Sequence, residues 1–166
     1  MRLLATFNEH EIGPTDYQDR PTVRAIITNE ADEVLLFSSA LPGGGVEEGE
    51  TPEEALRREC MEELGATIEI IRELGTVISY RDVIKRRYVI TGYECRLISL
   101  GVPTTIFEHE REQSIGWEKI DTVILYMTQH AEMVKAKGMN IYEGDRYQRH
   151  IQHALAGALF LKQLKR

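Results

Sequence analysis

No apolar run in the chain approaches the roughly 20 residues needed to cross a bilayer, so a transmembrane helix is not expected. Cysteine is scarce. Cys60 and Cys95 are the only two, with no paired spacing that suits zinc and too few bridges for a disulfide framework. Two reduced, partly buried thiols are expected. The N-terminal stretch reaches Glu9 and Glu11 too early for a secretory signal, which makes the cytoplasm the expected compartment. Repeats, low-complexity segments and linker compositions are also missing, so residues 1–166 are expected to form one domain.

A basic surplus is lacking too. The formal net charge is −7, and its placement says more than its size. Between Glu47 and Glu63 lie eight acids and only two bases, Arg57 and Arg58, while the other 19 acids and 18 bases nearly cancel. The acidity is one focused patch. Such a patch repels polyanions unless cations neutralise it. Nucleic acid is therefore an unfavoured partner, because backbone binding needs a basic surface.

What the chain does contain is a regular alternation of strands and helices. Residues 22–29 alternate Val23, Ala25 and Ile27 on one face, which predicts a strand. The turn Asn29 to Asp32 leads into a short apolar strand, Val34 to Phe37. Residues 68–80 and 86–98 are rich in β-branched and aromatic side chains and predict a hairpin closed by Arg81 to Lys85. A further strand is expected within 113–120. A helix is predicted from Pro52 to Leu64, with Thr51 as N-cap, Glu54 completing a capping box and Gly65 as the stop. A second is expected from Asp121 to Lys137, with Ile124, Met127, Ala131 and Val134 inward. A third runs from about Asp145 to the end, with Ile151, Ala154, Leu155 and Ala158 inward and basic residues in its last turn. Strands interleaved with helices imply an α/β fold with a mixed sheet covered on both faces.

Chemistry concentrates between Leu41 and Ala66. On a helical projection, Glu59, Glu62 and Glu63 fall within a face about 100° wide, with Leu56, Cys60 and Leu64 forming an adjacent apolar stripe. Like charges so spaced weaken a helix by a few tenths of a kcal/mol per pair. Either the face is merely solvated, or it gathers hard oxygen donors for a cation such as magnesium. Gly43, Gly44 and Gly45, just upstream, favour the second reading, because a glycine loop can bring backbone groups close to a metal or phosphate.

Loop and helix together resemble the Nudix box, Gly-x5-Glu-x7-Arg-Glu-U-x-Glu-Glu-x-Gly-U with U bulky and apolar. Gly44, Glu50, Arg58, Glu59, Glu62, Glu63 and Gly65 occupy its fixed positions, and the frequent Leu-Pro-Gly-Gly leader is present as Leu41 to Gly44. Cys60 and Ala66 fill the apolar positions and are smaller than usual. The resemblance implies a Nudix-type α/β/α sandwich and water attack on the diphosphate of a nucleoside diphosphate linked to a group X. It also implies Mg2+, or Mn2+, held by Glu59, Glu62, Glu63 and the Gly43 carbonyl, with Glu50 and Arg58 orienting those ligands. Glu59 would serve as general base or as a ligand. A further carboxylate is expected from Glu108, Glu110 or Glu112, with Glu112 favoured.

Outside the box, Arg24, Arg87 and Tyr80 are the candidates for contacting substrate. Lys85, Arg86 and Arg87 form either a phosphate-facing cluster or a solvated turn. Tyr88, Phe107 and Trp117 could stack on a base or pack in the core. His150 and His153 read as a polar helix face, since no third zinc ligand accompanies them. Nucleoside triphosphates, ordinary or oxidised, are the favoured substrates, ahead of nucleotide sugars such as ADP-ribose. RNA 5′ ends and a non-catalytic nucleotide-binding regulator are the competing readings. An isomerase of isoprenyl diphosphates is disfavoured, because its additional cysteine and glutamate have no evident counterpart. A homodimer is the assembly the resemblance allows.

Overall fold

A computed structural model describes residues 2–7, 16–81, 84–103, 115–136 and 144–164, with the side chains of 134–136 and 144–153 excepted. Six strands and three helices follow in the order β1 (Leu3–Phe7), β2 (Gln18–Thr28), β3 (Glu33–Phe37), α1 (Pro52–Leu64), β4 (Ala66–Arg81), β5 (Arg86–Leu100), β6 (Ile115–Lys119), α2 (Ile120–Ala136) and α3 (Gly144–Leu164). The strands form one sheet in the order β1-β4-β5-β2-β3-β6. Pairing is parallel for β1 with β4 and for β2 with β5, and antiparallel elsewhere, so the sheet is mixed as expected.

Apolar alternation along the strands divides the core in two. On one face Val23, Ala25, Ile27, Ile68 and Cys95 pack beneath Leu56, Cys60 and Leu64 of α1. On the other, Ile26, Val77 and Ile90 meet Val123 and Met127 of α2 and Phe160 and Leu161 of α3. The result is the expected α/β/α sandwich. Both cysteines are free and buried, and burial pushes the Cys95 thiol up to about 12.

Several expectations need correction. Strand β1 was not foreseen; five residues that are mostly half-exposed carry little alternation, and only the pairing with Thr76 to Ser79 defines them. Strand β2 begins four residues before the predicted start, because Gln18 to Pro21 extend a parallel register with Arg86 to Val89 that local sequence does not encode. In α3 Ala158 is buried as expected and Ala154 packs half-buried against the core, but Leu155 is only half-buried and Ala156, Gly157, Phe160, Leu161 and Gln163 are buried as well. Gly157 lets that helix approach Met127 and Leu41 closely, so the buried face is broader than expected. Ile151, His150, His153 and Val134 have side chains outside the described set, and Glu108, Glu110, Glu112 and Phe107 lie outside the described residues altogether. Among the described residues, no helix is long and apolar enough to cross a membrane.

Candidate active site

Helix α1 is anchored at both ends by its own sequence. The Glu54 amide donates to the Thr51 hydroxyl at 3.2 Å, and the Thr51 amide donates to the Glu54 carboxylate at 2.7 Å, so the capping box closes. Gly65 ends the helix in the left-handed conformation at φ 65°. Ala55, Leu56, Cys60 and Leu64 are buried against the sheet. That leaves Glu59, Glu62 and Glu63 half-buried along the margin that faces the glycine loop.

The loop is strung along the edge of β2. The Val23 amide donates to the Gly44 carbonyl at 2.9 Å and the Ala25 amide to the Pro42 carbonyl at 2.8 Å. Such close pairing leaves no room for side chains at two positions. A Cβ on Gly43, whose φ is 129°, would collide with the Val23 carbonyl. A Cβ on Gly44 would fall on the Glu59 carboxylate. The glycines therefore bring backbone and carboxylates into contact.

Arg58 ties the assembly together. Its guanidinium donates to Glu50 at 2.8 and 3.2 Å, to Glu59 at 3.0 Å, to Glu62 at 3.2 Å and to the Gly45 carbonyl at 3.0 Å. Only the planar five-donor fork of arginine can make such a set. Arg58 and the Glu47 amide hold the Glu50 carboxyl below its ordinary range. The same ion pairs push the Arg58 pKa upward, Glu50 contributing most. Glu63 points to the loop instead, accepting from the Gly43 amide at 2.9 Å. The Gly43 carbonyl accepts from Arg24, whose guanidinium also donates to the Val23 carbonyl at 3.2 Å. Burial lowers the Arg24 pKa, and the nearby charges of Glu63 and Glu59 oppose that.

Loop and helix thus bring Gly43, Glu59, Glu62, Glu63, Glu50 and Arg58 together, and Arg24 joins them from β2. Arg87 and Tyr80 lie elsewhere, at the ends of β5 and β4. There Arg87 pairs with Asp19 and hydrogen-bonds Tyr80, while Tyr80 packs edge-on to Tyr17 at 5.3 Å. Trp117 is half-buried against the core beneath α1. Tyr88 accepts from Arg81 at 2.8 Å and packs against the core beneath α2 and α3. Arg20 was missed by the sequence reading. A Cβ on Gly45 would meet its guanidinium, so Arg20 borders the loop across the strand register. Its signal would have been its place four residues before Arg24 on the same face of β2.

The donors suit a hard divalent cation: three carboxylates and a carbonyl, all oxygen, on adjoining elements. Among the described residues, no three Asp, Glu, His or Cys side chains converge into a set that could hold a metal ion in the arrangement seen. Glu59 and Glu62 are drawn to Arg58, and Glu63 to the Gly43 amide. The donor chemistry fits, and these oxygens are engaged by arginine guanidinium groups and an amide.

The NUDIX domain family model matches residues 18–137, and the chain belongs to the Nudix hydrolase family. Members of this family generally use divalent metal ions. Over 128 residues the chain is 31% identical to diphosphoinositol polyphosphate phosphohydrolase 3-alpha of Mus musculus, covering 70% of this chain and 73% of that one. Over 88 residues it is 38% identical to the RNA pyrophosphohydrolase of a Nitratiruptor species, covering 44% of this chain and 57% of that protein, so the match spans little more than half of this relative's length. Among solved structures, a NUDIX hydrolase from Nitrosomonas europaea shares the fold at a TM-score of 0.56 and 18% identity, covering 85% of this chain and 91% of that one.

Proposed function

We propose that this protein is a magnesium-dependent hydrolase of a diphosphate linkage, with a nucleoside triphosphate as the leading substrate, giving the monophosphate and pyrophosphate. One observation carries the reading: Glu59 and Glu63, with Glu62 joined to Glu59 through Arg58, stand against a glycine loop whose close approach is possible only because Gly43 and Gly44 lack side chains. Glu59, Glu62, Glu63 and the Gly43 carbonyl would hold the metal, with Mn2+ accepted by the same donors. When bound, the ion would neutralise the diphosphate and lower the pKa of the attacking water.

The chain's own residues do the rest. Arg58 and Glu50 hold the carboxylates in orientation, as groups behind metal ligands do in other sites. Glu59 would act as general base or as ligand. Glu112 would supply a further carboxylate, and Arg87 and Tyr80 would contact the substrate beyond the diphosphate. A second reading is pyrophosphate removal from RNA 5′ ends, favoured by the Nitratiruptor relative's name; the acidic balance of the chain weighs against it. A small substrate fits that balance best, and the chain would work in the cytoplasm.

The test is phosphate and pyrophosphate release from nucleoside triphosphates, ADP-ribose and a short triphosphorylated RNA, with magnesium or with chelator. Metal-dependent turnover of a triphosphate supports the proposal. Preference for RNA by tenfold or more in kcat/KM shifts it to the second reading. No turnover of any member, with nucleotide binding retained, would make the protein a regulator.

A further inference from the structure

Arg24 places a full positive charge inside the candidate site, and nothing in the box requires it. It lies on β2, in register with Gly92, on the sheet face opposite α1. Its side chain nevertheless reaches the loop, where the guanidinium donates to the carbonyls of Gly43 and Val23. Burial disfavours its charge, and Glu63 and Glu59 support it electrostatically. The Gly43 amide is taken by Glu63. Arg24 therefore uses the carbonyl, and interacts electrostatically with two of the carboxylates, that the proposed function assigns to the metal.

We propose that Arg24 is an internal counter-cation that a divalent ion must displace from the Gly43 carbonyl, so that Arg24 sets the metal concentration at which the site fills. The inference rests on the cation-binding reading of the site. Physically it is a competition. A monovalent guanidinium stabilises the loop and carboxylates while costing the incoming ion one occupied oxygen and one like charge at close range. Once displaced, the guanidinium remains beside the loop as a donor for a substrate phosphate, which arginine grips in a two-pronged fashion. The opposite role, a brace that preforms the metal site, predicts the opposite sign on metal affinity.

The experiment is Mn2+ binding by electron paramagnetic resonance, without substrate, on the wild type, Arg24→Gln and Arg24→Lys. Tighter binding by Arg24→Gln, by roughly tenfold, supports the inference, and Arg24→Lys should stay near the wild type because it keeps the charge. Unchanged or weaker binding by Arg24→Gln overturns it and marks a brace. Should Arg24→Gln fail to fold, as judged by circular dichroism, the wild type decides. The Arg24 Nε–H resonance should shift as Mg2+ is added; a resonance that stays fixed while the ion binds overturns the inference. A wild type that binds no Mn2+ refutes the cation reading itself, and this inference with it.

Discussion

Arg58 and Arg87 both pair with carboxylates, and they do so in different ways. Arg58 is held within one loop-and-helix unit by Glu50, Glu59, Glu62 and the Gly45 carbonyl, none more than 13 residues away. Its side chain is 25% exposed. Arg87 meets Asp19 across 68 residues of chain, in a pair whose side chains are 39% and 49% exposed. The first is a network with several shared partners, and the second is a solvated pair at a sheet end. Networks of partly buried charges resist the loss of one contact poorly, because each remaining charge is left without compensation. Exposed pairs contribute little, since water and salt replace them.

That contrast can be broken most sharply at the carboxylates. Glu63→Gln removes the charge of the proposed metal ligand while keeping an oxygen that can accept from the Gly43 amide, and should lower kcat by about a thousandfold with the fold retained, measured as pyrophosphate release. Near-wild-type turnover would remove Glu63 from the proposed metal site. Gly43→Ala should destabilise the protein by about 2–3 kcal/mol, read from thermal or urea unfolding, because the left-handed backbone and the Val23 carbonyl both oppose a Cβ. Arg58→Lys keeps the charge but loses the fork. It should cost about 10- to 100-fold in metal affinity or activity. An effect as small as that of Asp19→Ala would erase the distinction between the two arginines.

Acid unfolding sharpens the comparison further. Arg58 and the Glu47 amide hold Glu50 below the ordinary 4.5, so its stabilising contribution is complete above that value and is lost as pH falls through the lowered one. Glu50→Gln should be less stable than the wild type near neutrality, and the gap should close below pH 4 or so, as followed by circular dichroism. The smallest effect belongs to the exposed pair. Asp19→Ala should change stability by less than about 1 kcal/mol, and the difference should fade at high salt.

The box was legible in sequence because its contacts are local. A capping box, a glycine stop and acids three and four apart all act within a few turns of one helix, where 3.6 residues per turn fixes which side chains are neighbours. The strands were legible for a similar reason, since alternation at period two marks one face of β2 and β-branched and aromatic residues mark β4 and β5. What failed was non-local. Strand β1 exists only through its pairing with β4, and the early start of β2 only through its register with β5. The added breadth of the buried face of α3 followed from packing on Met127 and Leu41 and not from its own periodicity.

Alone, the amino-acid sequence determined the acidic helix, the glycine loop before it and their joint spacing, because these depend on interactions between near neighbours. Only the tertiary structure decided what those groups touch. It turned Glu63 to the Gly43 amide, gathered Glu50, Glu59 and Glu62 onto Arg58, and carried Arg24 from a neighbouring strand to the Gly43 carbonyl. Such contacts depend on how the loop is laid along the edge of β2, and the energy of that pairing is shared between segments about 20 residues apart.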